Sequence, residues 1–453
     1  MAARTVDAVE LSVVIPTYQD AQCLALTLRS LTRQTVRPER FEVVVARDGG
    51  SPAGYADAVG AATGLDLHLI EFPRRRGRSA ARNEAVRHTR APLLLFLDAD
   101  SYASPQLLER HLAHHAVAGR PAVLMGRRDE LSLEHVEAVL DGRELTGVPR
   151  RRADRSGDLR FPHGEPPGQD WLRAGWALAY THNISLARDL FDRTGGFDER
   201  SGLRWGLEDI ELFYRVHRHL GVTGSNFAYD DEARAFHLPH HRNTDRNFAD
   251  FAANRSLLTG QYHVIEWEFY GLLDVYDSLE RIVYYRWAAT DCARRSTCRI
   301  GPAFDRLADR LPGPRVLWVG TGSAQVDLPP GALTFDYAAP PGPTNHHLIG
   351  MDPPIPAGSL DAVVSVDFWR YLRWDDLCRF VNTSGRLARE VRLVSTGDTG
   401  SAPLTPGPAV LGYLRRALGD AFATDLSHVD GLGDVLTLRS LTPAARGARP
   451  HRR

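Results

Sequence analysis

The stretch Leu93-Leu-Leu-Phe-Leu97 runs without a break into Asp98-Ala-Asp100, and its reading decides the fold. Five consecutive apolar residues form the most apolar strand signal in the chain, one that belongs in the interior of a sheet. Two carboxylates one residue apart at its end project from the same side of an extended segment. At the end of a buried strand such a pair needs a partner. Hard oxygen ligands suit magnesium or manganese, together with a ribose or a phosphate.

Working outward, the run Leu11-Ser-Val-Val-Ile-Pro16 reads as a strand, and Leu24, Leu28 and Leu31 recur behind it at helical spacing. Phe41-Glu-Val-Val-Val45 gives a second strand closing on the turn Asp48-Gly-Gly-Ser51. Leu67-His-Leu-Ile70 gives a third, ahead of Arg74-Arg-Arg-Gly-Arg78. A helix is expected from Ser79 to Arg90, capped by Ser79. Strands alternating with helices imply an α/β fold with a mostly parallel sheet, whose ligands bind at the carboxyl ends of the strands. Thr17, Asp48 and Asp98 all fall at those ends. The charged, proline- and glycine-rich stretch from about Arg127 to Gly168 reads as a long loop or excursion.

Composition limits the partners. The 453 residues carry a formal charge of -1, so nothing argues for a nucleic acid as partner. No lysine occurs, which makes every fixed side-chain cation an arginine and any phosphate clamp a planar guanidinium. Cys23, Cys292, Cys298 and Cys378 lack paired spacing, which disfavours a zinc site or a disulfide framework. No run approaches the length of a transmembrane helix, and a soluble, cytoplasmic protein is the expectation.

Three further constellations carry chemistry. Trp205-Gly-Leu-Glu-Asp209 opens an amphipathic helix, and its acids either complement the helix dipole or supply a general base. In Phe236-His-Leu-Pro-His-His241, His237 follows an apolar stretch and can complete a metal site begun by Asp100. The arginines leading to Ala81-Arg-Asn83 stand beside a helix start, where a diphosphate binds well.

In this order, Val14-Ile-Pro-Thr17, Val45 to Ser51, Gly77 to Asn83, Leu97 to Asp100, Gly195-Gly-Phe-Asp-Glu199 and Glu208-Asp209 resemble family 2 of the inverting glycosyltransferases, with the glycosyltransferase-A (Rossmann-like) fold. The resemblance covers about Leu11 to His241. It implies a nucleotide-sugar donor, of the uridine diphosphate type, and a hydroxyl acceptor, either a small molecule or a glycan. It further implies that Thr17 and Asp48 touch base and ribose, that Arg78 and Arg82 lie near the nucleotide, and that Asp98 meets the ribose. Asp100 would hold manganese or magnesium with His237 as second ligand, and Asn183 would lie by the donor sugar. Trp205-Gly-x-Glu-Asp is similar to the acceptor motif of the beta-1,4-galactosyltransferases and chondroitin-type polymerases, which makes Asp209 the base, Glu208 the reserve candidate and Trp205 an acceptor contact. Many relatives carry two adjacent acids where Arg47-Asp48 stands here.

Farther on, Arg315-Val-Leu-Trp-Val-Gly-Thr-Gly322, Leu333-Thr-Phe-Asp336 and Ile355 to Ser365 resemble strands one, two and four of a class I methyltransferase. The glycine turn would face the methionine part of S-adenosylmethionine and Asp336 its ribose. Too few residues separate Gly322 from Asp336 for the usual intervening helix, so a degenerate, non-catalytic domain is expected, one that packs on the transferase or mediates homo-oligomer assembly. The expected boundaries are 1–260 for the transferase, 261–311 for a helical bridge and linker, 312–443 for the methyltransferase-like domain and 444–453 for a disordered tail. The alternatives are a bifunctional glycosyltransferase and methyltransferase, and a non-catalytic nucleotide-sugar-binding protein.

Overall fold

The computed structural model describes residues 8–143, 145, 158, 160, 172–221, 226–296, 302–320, 330–396, 404 and 408–441. The chain divides into two compact units, Met1–Asn254 and Arg255–Arg453.

The first unit is built on an eight-stranded sheet. Its strands are β1 (Leu11–Thr17), β2 (Phe41–Arg47), β3 (Leu67–Glu71), β4 (Leu93–Leu97), β5 (Ser101–Ala103), β6 (Val123–Glu130), β7 (Asn183–Ala187) and β8 (Phe227–His237), in the order β3-β2-β1-β4-β7-β6-β8-β5. The half from β3 to β4 is parallel, as the alternation of strand and helix predicts. The other half is mixed: β7 is antiparallel to both β4 and β6, β8 runs parallel to β6, and β5 is antiparallel to β8. The expectation of a mostly parallel sheet therefore holds for only half of it. The antiparallel strands alternate polar and apolar residues or carry charge, as in Val123–Glu130, and so lack the continuous apolar run that marks β4. A core of Leu11, Val13, Ile15, Val43, Val45, Leu95 and Leu97, closed by Leu24, Leu28 and Leu107, fixes the parallel half.

Two local expectations are corrected. The third helix of the chain spans Arg78–Arg87, and its cap is Gly77, not Ser79. Gly77 has φ of 104°, and a Cβ there would come within 2.1 Å of the Gly202 carbonyl oxygen, so the close chain crossing demands glycine. The supposed excursion from Arg127 begins inside β6 and continues through a helix, Leu133–Asp141. Most of its remainder, to Gly168, lies outside the described residues.

In the second unit, the helices Ile265–Phe269, Val275–Ser296 and Pro302–Ala308 precede a six-stranded sheet. Its strands are β9 (Val316–Val319), β10 (Leu333–Phe335), β11 (Leu360–Val366), β12 (Ala388–Thr396), β13 (Phe422–Val429) and β14 (Gly433–Ser440), ordered β10-β9-β11-β12-β14-β13. β10, β9, β11 and β12 are parallel, and β14 is antiparallel to both neighbours. Gly322 and Cys298 lie outside the described residues, as does the tail 444–453. Among the described residues no helix is long and apolar enough to cross a membrane.

Candidate active site

The site grows from the carboxyl end of β4. Asp98 stays partly exposed, while Asp100 is buried. Asp100 Oδ2 lies 3.4 Å from His237 Nε2, at the end of β8, and 3.2 Å from His240 Nδ1. The three side chains offer ligand atoms all within 4.8 Å of one another. Asp100 Oδ1 is buried with no hydrogen-bond partner among the described residues, which suits a carboxylate shaped for a cation. His237 Nδ1 meets Glu130 Oε2 at 3.1 Å, leaving Nε2 toward Asp100, the carboxylate–histidine support usual behind a metal ligand. Arg242 Nη2 rests against the same ring, 2.7 Å from Nε2. Burial opposes ionisation of Asp100, but the hydrogen bond and charge of His237, with His240 and Arg128, hold its carboxyl at about 2. Burial likewise opposes the His237 cation, and the bonds to Asp100 and Glu130 overcome it to raise the ring's pKa.

Arg82 joins this end of the sheet to the helix Glu208–Leu220. The side chain is 3% exposed; Nη2 reaches Asp98 Oδ1 at 3.0 Å and Nη1 reaches Glu208 Oε1 at 3.1 Å. Arg82, expected near the nucleotide, is thus spent on two protein carboxylates. Burial disfavours the Glu208 anion, but the charges of Arg82 and Arg78 keep its carboxyl below the usual range. Asp209 behaves oppositely: desolvation and the neighbouring Glu208 charge push it up to about 7, and Arg82 offsets only part of this. Its Oδ1 accepts the Ile210 N–H at 2.9 Å, and its Oδ2 accepts the Thr181 N–H at 3.4 Å. A half-buried carboxyl poised near neutrality is suited to take a proton from a hydroxyl.

The helix start owes its position to a strained turn. Gly206 (φ 91°) and the buried Leu207 (φ 71°) both take left-handed backbone before Glu208, a conformation costly for leucine. Asn254 donates to the Gly206 carbonyl at 2.7 Å, and Asp250 accepts the Trp205 N–H at 3.1 Å. The Trp205 ring is 38% exposed, near Phe251.

Of the other expected residues, Thr17, Asp48 and Asn183 are engaged by the protein itself. Asp48 is buried and accepts the N–H groups of Arg76 and Gly77 at 2.6 and 2.9 Å, so its carboxylate orders the arginine loop. The Thr17 hydroxyl bonds Tyr55 at 3.0 Å. Arg78 is exposed and keeps no ion pair among the described residues, which leaves its guanidinium available to an anion. Asn183, expected by the donor sugar, is instead turned inward. It donates to the carbonyls of Arg127 (3.1 Å) and Ala233 (2.8 Å) and meets His111 Nε2 at 2.8 Å, clamping β7 to β6 and β8.

Sequence reasoning passed over His240, Glu130, Tyr18 and His182. His240 lay in view within the histidine tract, and Glu130 was hidden in the charged stretch after Arg127. Tyr18, next to Thr17, is 37% exposed with the Arg75 guanidinium 4.1 Å from its ring centroid. His182 was eclipsed by its neighbour Asn183.

The profile of Glycosyl transferase family 2 matches residues 12–168. A validoxylamine A glucosyltransferase of Streptomyces hygroscopicus subsp. jinggangensis is 30% identical over 336 residues, covering 71% of this chain and 78% of its own. One from subsp. limoneus is 29% identical over 384 residues, covering 78% and 83%. That share of this chain exceeds the first unit, so the similarity reaches into the second. The Escherichia coli chondroitin synthase is 28% identical over 248 residues, 50% of this chain and 34% of that protein. Among solved structures, S. aureus TarS 1-349 in complex with UDP-GlcNAc covers 61% of this chain and 70% of its own, with 16% identity and a TM-score of 0.41. The mannosyltransferase PcManGT from Pyrobaculum calidifontis, in complex with GDP-Man and Mn2+, covers 54% and 64%, with 19% identity and a TM-score of 0.37.

Proposed function

Because the chain belongs to glycosyltransferase family 2, as a nucleotide-sugar-dependent enzyme of the hexosyltransferase class, we propose that it transfers glucose with inversion from a nucleoside diphosphate donor to a hydroxyl. The carrying observation is that Arg82 ties Asp98, at the end of β4, to Glu208, beside Asp209. That tie supports a reading in which Asp98, expected at the ribose, and Asp209, the expected base, serve one site. Asp209 takes the proton of the acceptor hydroxyl as its oxygen bonds the anomeric carbon. The bond from that carbon to the diphosphate oxygen breaks, and the diphosphate leaves with the electron pair. Attack opposite the leaving group inverts the anomeric centre.

Manganese or magnesium fits Asp100, His237 and His240, and when bound it would neutralise charge on the leaving diphosphate. Arg78, which opens the helix Arg78–Arg87 and keeps no ion pair among the described residues, adds positive charge for that group. The Trp205 face is offered to the acceptor, which by the names of the relatives is a small molecule of the validoxylamine kind. The donor is assigned to the uridine type by resemblance alone. The test is transfer from UDP-glucose to validoxylamine A, with the product's anomeric configuration read by NMR before and after chelation. A β-linked product whose formation needs added manganese or magnesium supports the reading; retention, or undiminished transfer in chelator, defeats it.

The second unit we assign to a methyltransferase-like, non-catalytic domain. The order β10-β9-β11-β12-β14-β13, parallel but for β14, supports the assignment. Two described residues argue against S-adenosylmethionine as its ligand. Gly320, where the glycine turn begins, is crowded by the chain itself: a Cβ there would lie 2.7 Å from Phe368 Cβ and 2.8 Å from the Val366 carbonyl oxygen. Asp336 is fully buried, its Oδ1 accepting the Ala338 N–H. Calorimetry with S-adenosylmethionine should give no saturable heat. Binding that is lost in Gly320→Arg would establish the bifunctional alternative.

A further inference from the structure

β7 begins opposite the end of β4. Leu97 is in register with Asn183, so His182 leaves the sheet beside Asp98. Asn183, the first residue of the strand, and His182, in the turn before it, have opposite fates. Asn183 is absorbed by the protein interior. His182 is only 3% exposed, yet neither ring nitrogen has a hydrogen-bond partner among the described residues. Its ring centroid lies 5.6 Å from that of His237. The preceding residue, Thr181, donates its N–H to Asp209. His182 therefore stands between the expected base and the expected cation site. In a displacement, base, acceptor oxygen, anomeric carbon and leaving oxygen follow one another in that order. A side chain between Asp209 and His237 borders the sugar in transit.

We propose that His182 recognises the transferred hexose, hydrogen-bonding one of its hydroxyls through a ring nitrogen and so fixing the anomeric carbon before Asp209. The inference rests on the donor-site reading above. Three observations favour a sugar hydroxyl over other partners. A buried polar ring without a partner is costly, so the site is built for a group that arrives with the substrate. An imidazole can offer an N–H and an acceptor nitrogen, which matches a hydroxyl better than a diphosphate oxygen that only accepts. His182 also falls outside the group whose ligand atoms converge on a cation position, namely Asp100, His237 and His240.

The test uses the full chain with manganese, whichever of UDP, GDP and dTDP the wild type binds, the corresponding glucose conjugate, and its deoxyglucose analogues. In His182→Ala and His182→Asn, affinity for manganese and for the nucleoside diphosphate should be unchanged. Affinity for the glucose conjugate should fall roughly ten- to a hundredfold. Wild type should reject one deoxy analogue that the variants bind as well as the parent sugar, a readout that a structural role would not move. Weakened manganese and nucleotide binding would make His182 a cation ligand and overturn the proposal; so would wild-type affinity for all the sugar conjugates. The donor-site reading fails separately, if wild type binds none of the three diphosphates or if Asp100→Asn keeps manganese-dependent binding. Melting curves of both variants control for folding.

Discussion

Both sheets end their parallel strands in turns that carry acids and glycines, and the two edges have met opposite fates. In the first unit the edge keeps polar groups back from the protein. Asp100 Oδ1 and both nitrogens of His182 are buried and unpartnered among the described residues, and Arg78 is exposed without an ion pair. In the second unit comparable positions are spent internally. Asp367, after β11, accepts from Arg370 at 2.9 Å, from the Thr396 N–H at 2.9 Å and from the Thr396 hydroxyl at 2.6 Å. Gly320 abuts Phe368, and Asn345 fills the turn at Asp336 by bonding its N–H and its carbonyl. The difference teaches that an α/β edge becomes a site through hydrogen bonds the protein leaves unmade, since each is a standing demand for a ligand.

The largest effect should come from Asp209→Asn, which removes the base while sparing the donor residues. Turnover should fall by about two to four orders of magnitude with nucleotide affinity retained, as measured by steady-state kinetics and calorimetry. Near-normal transfer would erase the functional half of the contrast. Next, Arg82→Ala strands two acids around a buried gap. A loss of about 3–5 kcal/mol of folding stability is expected, measured by denaturant unfolding of the first unit's transition.

The pH dependence sharpens the same contrast. With Asp209 at about 7, kcat/KM should drop about tenfold per pH unit on the acid side of that value, because only the carboxylate accepts a proton. For stability the sign reverses. The folded pKa lies above the ordinary aspartate value of 3.8, so the favourable contribution is complete below that value and is lost as pH rises through about 7. Asp209→Asn should therefore melt higher than wild type at pH 8, and the gap should close toward pH 4. The smallest effect belongs to the second unit: Gly320→Ala should cost about 1–3 kcal/mol by overpacking against Phe368 and leave donor binding untouched. A change in donor affinity there would mean that the second edge is not inert.

The sequence alone determined the parallel half of the first sheet, because the apolar runs at Leu11, Phe41 and Leu93 are local signals of burial on both faces and the run at Leu67 marks the edge strand beside them. It also determined which residue types gather at the strand ends and at one helix start, since Asp98, Asp100 and Asp209 are legible from their neighbours along the chain. Only the tertiary structure decided which partners each of them meets. Arg82 changed from an expected nucleotide contact to the tie between Asp98 and Glu208, and that pairing spans 126 residues. Asn183 and His182 are adjacent and equally polar, and their surroundings separate only when β6 and β8 bring the carbonyls of Arg127 and Ala233 to Asn183. The physical reason is the same throughout: burial periodicity is written in neighbours, whereas the partner of a polar group, and hence its charge and its availability to a ligand, is set by strands that arrive from elsewhere in the chain.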